Sequence, residues 1–281
     1  MTGRTASSAE AFRGLHDHGL LVLPNAWDAG SARLIASAGA RAVATSSAAV
    51  AWSHGYADGD RLPVALLLAT VAAITRVVNV PVSVDIEGGY SPAAVAVGET
   101  VGRVIDAGGV GLNLEDGTEP PHLLCAKIEH ARAAGDRLGV KLFVNARSDV
   151  YLSDLAPADR RLDETLARAA RYRAAGADGI FVPGVIDAAA IRAIASAVAL
   201  PLNVLARPGL PAAGELETLG VRRLSAGSGI ASALYGAMAT LAAGFLRTGD
   251  SEPLARGAMA YAAINALMTD PVPRGGRPPT R

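Results

Sequence analysis

Cysteine, lysine and aromatic side chains are all scarce in this sequence. Cys125 is the single cysteine, so an internal disulfide or a multi-cysteine metal site is excluded. That usage fits a reducing compartment, and the expected location is cytoplasmic. The two lysines, Lys127 and Lys141, fall in a helical pattern and at the start of a strand. Neither is placed for the desolvated amine that a Schiff-base aldolase needs. Net charge is also lacking: 26 basic residues balance 26 acidic ones. There is no general pull toward nucleic acid or an acidic membrane, and neither is expected as a partner. The amino end has no apolar stretch of the length of a signal peptide. One uncharged run, Leu224 to Leu246, is long enough to span a bilayer. It is rich in Ala, Gly, Ser and Thr and has no companion, so it reads as a short strand, a glycine turn and a buried helix.

What is present is a hydrophobic majority, 51% of residues, which excludes a disordered chain. Strand patterns lie at 20–24, 42–46, 81–87, 110–115, 140–145, 179–182, 202–205 and 222–225. Alanine-rich helical patterns alternate with them, and several end in small-residue turns such as Ala107-Gly108-Gly109 and Ala175-Gly176-Ala177. Eight such repeats in about 250 residues predict an α/β fold, a closed (β/α)₈ TIM barrel forming a single domain over 1–268. An open doubly wound sheet is the alternative. It would place a glycine-rich phosphate turn after the first strand, where this chain has Pro24-Asn25-Ala26-Trp27-Asp28. The segment Pro253–Met268 adds an extra carboxyl-terminal helix, apolar on most sides and expected to pack on a second subunit. The tail 269–281, rich in Pro, Gly and Arg, is expected to be disordered.

In such a barrel the chemistry lies at the carboxyl ends of the strands. There the sequence places Asn25, Thr45-Ser46-Ser47, Asp85-Ile86-Glu87, Asn113-Leu114-Glu115-Asp116 and Asn145-Ala146-Arg147-Ser148-Asp149. Asp85 and Glu87 are two apart and so share a strand face, and Glu115 ends the neighbouring strand. Converging carboxylates repel unless a cation lies between them, and oxygen ligands suit Mg²⁺ or Mn²⁺. The plainer reading is that Glu87 and Glu115 cap helices or pair with Arg147. Arg147 can hold a substrate carboxylate or phosphate in its planar fork, or form an internal ion pair with Asp149 or Glu115. Gly227-Ser228-Gly229 can cradle a phosphate or cap a helix. His16, His18, His54, His122 and His130 have no zinc-site spacing, and Cys125 reads as a buried helix residue.

The segments PNAWDAGSARL, TSSAAVAWSHGYADGD, SVDIEGGY, GLNLEDG, VNARSDVYL and AAGADGIFVPG, in this order, resemble the isocitrate lyase/phosphoenolpyruvate mutase superfamily over roughly 20–246. The resemblance implies a (β/α)₈ barrel that exchanges a helix with a neighbour in a homodimer or homotetramer. It implies Mg²⁺ held, partly through waters, by Asp85, Glu87 and Glu115. It also implies a 2-oxo acid bound by amides near Ser46, Ser47 and Ala48, with Asn25 and Asp85 beside it and Arg147 on a carboxylate. Asp58 matches an acidic residue near the family's site. The shared chemistry makes or breaks a bond next to a pyruvate-like enolate. The superfamily's strand-three motif usually reads Asp-Ala-Asp-Thr-Gly, whereas here it is Asp85-Ile86-Glu87-Gly88-Gly89. The lyase lid motif Lys-Cys-Gly-His is missing, and the segment between Glu115 and Lys127 is short.

The expected activity is therefore a Mg²⁺-dependent carbon–carbon lyase acting on a small 2-oxo or 2-hydroxy carboxylic acid. The alternatives are carbon–phosphorus mutase chemistry and a catalytically idle binder of 2-oxo acids, the latter suggested by the short lid.

Overall fold

The computed structural model describes residues 2–269. Its strands are β1 (Leu21–Leu23), β2 (Asn25–Ala26), β3 (Val43–Thr45), β4 (Val82–Asp85), β5 (Gly111–Glu115), β6 (Phe143–Arg147), β7 (Gly179–Phe181), β8 (Leu202–Leu205) and β9 (Val221–Ser225). All pair in parallel, in the order β1-β9-β8-β7-β6-β5-β4-β3-β2. The nine strands fill eight positions, because β1 and β2 are one strand interrupted at Pro24. Proline has no amide hydrogen to give to a ladder. β1 pairs with β9 and β2 with β3, so the sheet meets itself across that residue. The result is the (β/α)₈ barrel that the alternation predicts.

The helices are α1 (Thr2–Gly14), α2 (Ala29–Ser37), α3 (Ser47–Ser53), α4 (Val64–Val77), α5 (Ala94–Asp106), α6 (Pro121–Arg137), α7 (Arg161–Ala174), α8 (Ala188–Ala197), α9 (Ala213–Thr218), α10 (Gly229–Thr248), α11 (Glu252–Ala255) and α12 (Tyr261–Thr269). Two of them escaped the sequence reading. α1 is mostly polar and buries only Ala9 and Phe12. It closes the amino-terminal end of the barrel, where a Cβ on Gly111 would lie 2.5 Å from the Phe12 ring. α3 follows β3 directly and was hidden in the loop after strand two. The sixth strand begins at Phe143 rather than Val140, because the turn at Gly139 (φ +65°) runs on through Leu142.

The carboxyl-terminal part also departs from expectation. The expected extra helix is two short ones, broken where Gly257 takes φ +74°. α12 leans on α2 of its own barrel, with Arg33 Nε donating to the Leu267 carbonyl at 2.7 Å. α10, expected to be buried, has only Ala231 buried, while Leu234, Met238 and Phe245 are exposed. It is the one helix among the described residues long and apolar enough to cross a membrane. Of the tail expected to be disordered, Thr269 ends α12 and the remainder lies outside the described residues.

His16 follows α1 and stacks on Phe143 at 4.0 Å, with Nδ1 2.9 Å from the Phe12 carbonyl. Burial, aided by the nearby charge of Arg223, lowers its pKa to about 4. Unfolded His16 binds its proton near pH 6.5, whereas the folded residue binds it near 4. The unfolded state therefore holds more protons between these values. The stabilisation is complete above about pH 6.5 and is lost as pH falls toward 4, by about 1.4 kcal/mol per unit. Urea titrations at pH 7 and 5 should show a smaller pH effect on His16→Gln than on the parent protein.

Candidate active site

The carboxyl ends of β4, β5 and β6 form an acidic mouth around one arginine. Register places Glu115 opposite Arg147, and Asp85 opposite Asn113, which in turn lies opposite Asn145. Arg147 NH1 meets Glu115 Oε2 at 2.6 Å. Its Nε and NH2 grip both oxygens of Asp149, at 2.6 and 2.9 Å. This is a bidentate fork. Burial pushes the Glu115 carboxyl up, to about 8, against the pull of Arg147 and with Asp85, Asp149 and Glu87 adding to the rise. Burial likewise raises Asp85, and Arg147 opposes that shift. Asp85 accepts from the Glu87 amide at 3.1 Å, and its own amide donates to Thr45 Oγ1 at 2.8 Å.

Asp85, Glu115 and Arg147 are thus brought together as expected, and Glu87 is not. β4 ends at Asp85, so the strand alternation that would align Glu87 with Asp85 has stopped. Glu87 has φ +52°, and its carboxylate accepts from Tyr90 Oη at 2.8 Å and from the Asp60 amide. Among the described residues no three acidic, histidine or cysteine side chains form a cluster able to hold a metal ion. Asp60 (φ +56°) and Tyr90 (φ +59°) share the left-handed conformation. Each such non-glycine residue costs about 1–3 kcal/mol, and this kind of strain concentrates at functional sites.

Ser46, Ser47 and Ala48 are buried at the start of α3. The amides of Ser47 and Ala48 belong to its first turn, where no intrahelical acceptor exists. Asn25, expected beside the substrate, has both ends of its amide engaged within the protein. It donates to the Thr45 carbonyl at 2.7 Å and accepts from the Gly227 amide at 2.8 Å. That bond ties the Gly227-Ser228-Gly229 turn to the first strand, and Ser228 stands at the N-cap position of α10. Asp58 is exposed in the loop between α3 and α4, and its charge acts on Asp85 and Glu87. His54 bonds Thr70, and Cys125 is partly exposed on α6 rather than buried. A cavity of about 430 Å³ beside the mouth is lined by Asp60, Tyr90, Glu115, Asp116 and Lys127. A larger cleft of about 550 Å³, lined by Arg4, Arg76 and Asp106, lies at the opposite end of the barrel.

A support that the sequence reading missed lies behind Arg147. Asp116, buried after β5, accepts from Arg168 NH1 at 2.8 Å, Tyr172 Oη at 2.6 Å and the Asp149 amide at 2.9 Å. α7 thereby fixes Asp149, which fixes Arg147. The signal was faint: Glu164 and Arg168 are four apart on one helix, and they do pair at 2.7 Å.

A parallel barrel with carboxylates and a clamped guanidinium at the carboxyl ends of its strands defines an enzyme-type barrel. The chain belongs to the phosphoenolpyruvate phosphomutase family, whose profile matches residues 12–246, within the phosphoenolpyruvate mutase/isocitrate lyase superfamily. An uncharacterized protein of Mycobacterium tuberculosis is 38% identical over 267 residues, 92% of this chain and 96% of that one. The 2-methylisocitrate lyase of Escherichia coli is 31% identical over 70% of this chain and 69% of its own. An oxaloacetate decarboxylase of Bradyrhizobium matches 46% of each chain at 35% identity. Among solved structures, one from Burkholderia cenocepacia J2315, provisionally named a lyase/mutase, superposes with a TM-score of 0.88 at 36% identity. It covers 96% of this chain and 98% of that one. A phosphonopyruvate hydrolase in complex with oxalate and Mg²⁺ gives 0.80 at 25%, over 92% and 94%.

Removing Arg168 would leave the fully buried Asp116 carboxylate without its cation. Arg168→Met should cost about 3–5 kcal/mol of stability. Tyr172→Phe, which removes one hydrogen bond, should cost about 1–2 kcal/mol. Urea unfolding of the two variants checks the order.

Proposed function

We propose that the chain is a divalent-cation-dependent carbon–carbon lyase acting on a small 2-oxo or 2-hydroxy carboxylic acid. The observation that carries this reading is the placing of buried Asp85 and half-buried Glu115 at the ends of adjacent strands, with Arg147 ion-paired to Glu115 and its charge acting on Asp85. The named relatives that cleave carbon–carbon bonds beside a carboxylate support it.

The residues present fit a hard cation. Mg²⁺ is commonly bound through one or two carboxylates, with water and substrate completing its shell. Asp85 and Glu115 supply two, and burial raises the pKa of both, with the charge of Arg147 acting against the rise. When bound, the ion supplies Lewis-acid stabilisation of negative charge developing on the oxo-acid oxygen. The first-turn amides of Ser47 and Ala48 orient the acid's carboxylate. Arg147, held flat by Asp149, presents its remaining donors to a second carboxylate. Asp58 lies on the open side of the mouth, where it can exchange a proton with the reacting carbon's substituent.

The test is turnover across a panel of 2-oxo and 2-hydroxy di- and tricarboxylic acids. Activity should disappear with EDTA and return with Mg²⁺. Asp85→Ala should lower kcat by about 10³-fold or more. Turnover indifferent to EDTA overturns the metal role. The family's description favours a second reading, carbon–phosphorus chemistry on phosphoenolpyruvate or a phosphonate. Appearance or loss of a phosphonate resonance in phosphorus NMR distinguishes it.

The exposed apolar face of α10 and α12 supports a homodimer or homotetramer in which a second copy covers these helices. Leu234, Met238, Phe245, Ile264 and Met268 lie open on them. Light scattering should give a dimer or tetramer mass, and Leu234→Glu with Phe245→Glu should reduce it to a monomer. A parent protein that stays monomeric, or that partitions into liposomes, overturns this part.

A further inference from the structure

We infer that Glu87 is a positioning residue that fastens the loop carrying Asp58 to the rim of the barrel, rather than a ligand to the cation. The loop between α3 and α4 runs from His54 to Pro63 and is exposed over 55–61. Leu62 anchors its far end in the core, while the exposed stretch before it has little apolar surface to hold it down. That stretch is tied to the rim by Glu87, whose Oε2 accepts from the Asp60 amide while Oε1 accepts from Tyr90 Oη at 2.8 Å. Asp60 returns the contact, with Oδ1 accepting from the Tyr90 amide at 3.2 Å. The three residues form a closed cycle across two loops, and all three have φ between +52° and +59°. None is glycine, so the conformation is held by the contacts and not by chain freedom.

The surroundings argue the same way. Lys127 Nζ donates to the Gly88 carbonyl at 2.6 Å, pinning the turn from the α6 side. A Cβ on Gly89 would lie 2.7 Å from Val97, so the turn is pressed against α5. A glutamate is one methylene longer than the aspartate usual in the superfamily at this place. That length lets its carboxylate pass the strand end and reach the loop. Each oxygen then already accepts a donor from the two loops, and Glu87 does not join Asp85 and Glu115 in a three-carboxylate cluster among the described residues. Asp58 lies two residues before Asp60, so fixing the Asp60 amide also limits where Asp58 can stand. The consequence for Asp58 rests on the proposed enzymatic reading, and the fastening itself rests on geometry alone.

The experiment pairs amide hydrogen exchange of residues 55–61 with calorimetric titration of Mg²⁺ alone. It compares the parent protein with Glu87→Ala, Tyr90→Phe and Asp85→Ala. Glu87→Ala should speed exchange in this loop about tenfold, and Tyr90→Phe should speed it by less, with the melting temperature little changed. The Mg²⁺ dissociation constant of Glu87→Ala should stay within about threefold of the parent, while Asp85→Ala abolishes measurable binding. Unaltered loop exchange in Glu87→Ala overturns the inference. So does a loss of Mg²⁺ affinity equal to that of Asp85→Ala. If Glu87→Ala does not fold, Tyr90→Phe, which removes one oxygen, decides the exchange arm. A parent protein that binds no Mg²⁺ defeats the enzymatic reading and leaves the exchange arm to judge the fastening.

Discussion

A guanidinium held between two carboxylates carries the mouth of this barrel. Arg147 meets Glu115 on one side and grips Asp149 on the other. Strand register forces Glu115 and Arg147 together, and the fold therefore has to accommodate charge in a place mostly removed from water. Removing either partner would leave a buried charge uncompensated, which costs far more than the pair itself contributes. Neighbouring features follow from that constraint. Asp116 receives Arg168 and Tyr172 from α7, and through the Asp149 amide it keeps the clamp aligned. The helix layer is thereby coupled to the site by hydrogen bonds as well as by packing.

The barrel was legible because polar residues interrupt apolar runs at corresponding points of successive repeats. Asp85, Glu115 and Arg147 were legible for the same reason, since they end strands that pair in register. Glu87 was misplaced because the two-residue alternation was carried past the point where β4 ends. Gly88-Gly89-Tyr90 gave notice of a turn, but nothing local shows that a glutamate before two glycines will itself take φ +52°. Asn25 shows a second limit of the local pattern. Its position at a strand end was right, but the partner that claims its oxygen, the Gly227 amide, lies 202 residues away. Such a partner is set by barrel closure and has no signature in the neighbouring sequence.

The helices that escaped or misled the reading share a physical cause. α1 is polar almost throughout, and its one large buried anchor, Phe12, gives no helical periodicity. α10 has the opposite character. An uncharged alanine-rich helix looks the same whether it is buried in its own domain, against a second copy or in lipid. Composition records that burial is wanted and does not name the surface that supplies it. The structure excludes the first of these possibilities, since nearly all of α10 stands away from its own barrel.

The lumen beneath the mouth completes the electrostatic account. Arg223 is fully buried on β9, donating to Ser225 Oγ at 3.1 Å and to Asn113 Oδ1 at 3.3 Å. Burial lowers its pKa to about 9, and Asp85 acts against that shift. Asn145 also donates to Asn113 Oδ1, at 2.9 Å. With two donors on its oxygen, Asn113 has to turn its amide nitrogen toward Asp85, 3.5 Å away. Aliphatic residues at these inward positions would pack more cheaply, as they do in most barrel interiors. The amides and the arginine instead set a positive and donor-rich floor under Asp85, while Arg147 stands above it. Arg147, the Glu87 amide and the Asn113 side chain thus favour the ionised form of Asp85, yet burial outweighs them and its pKa lies above the ordinary carboxylate value.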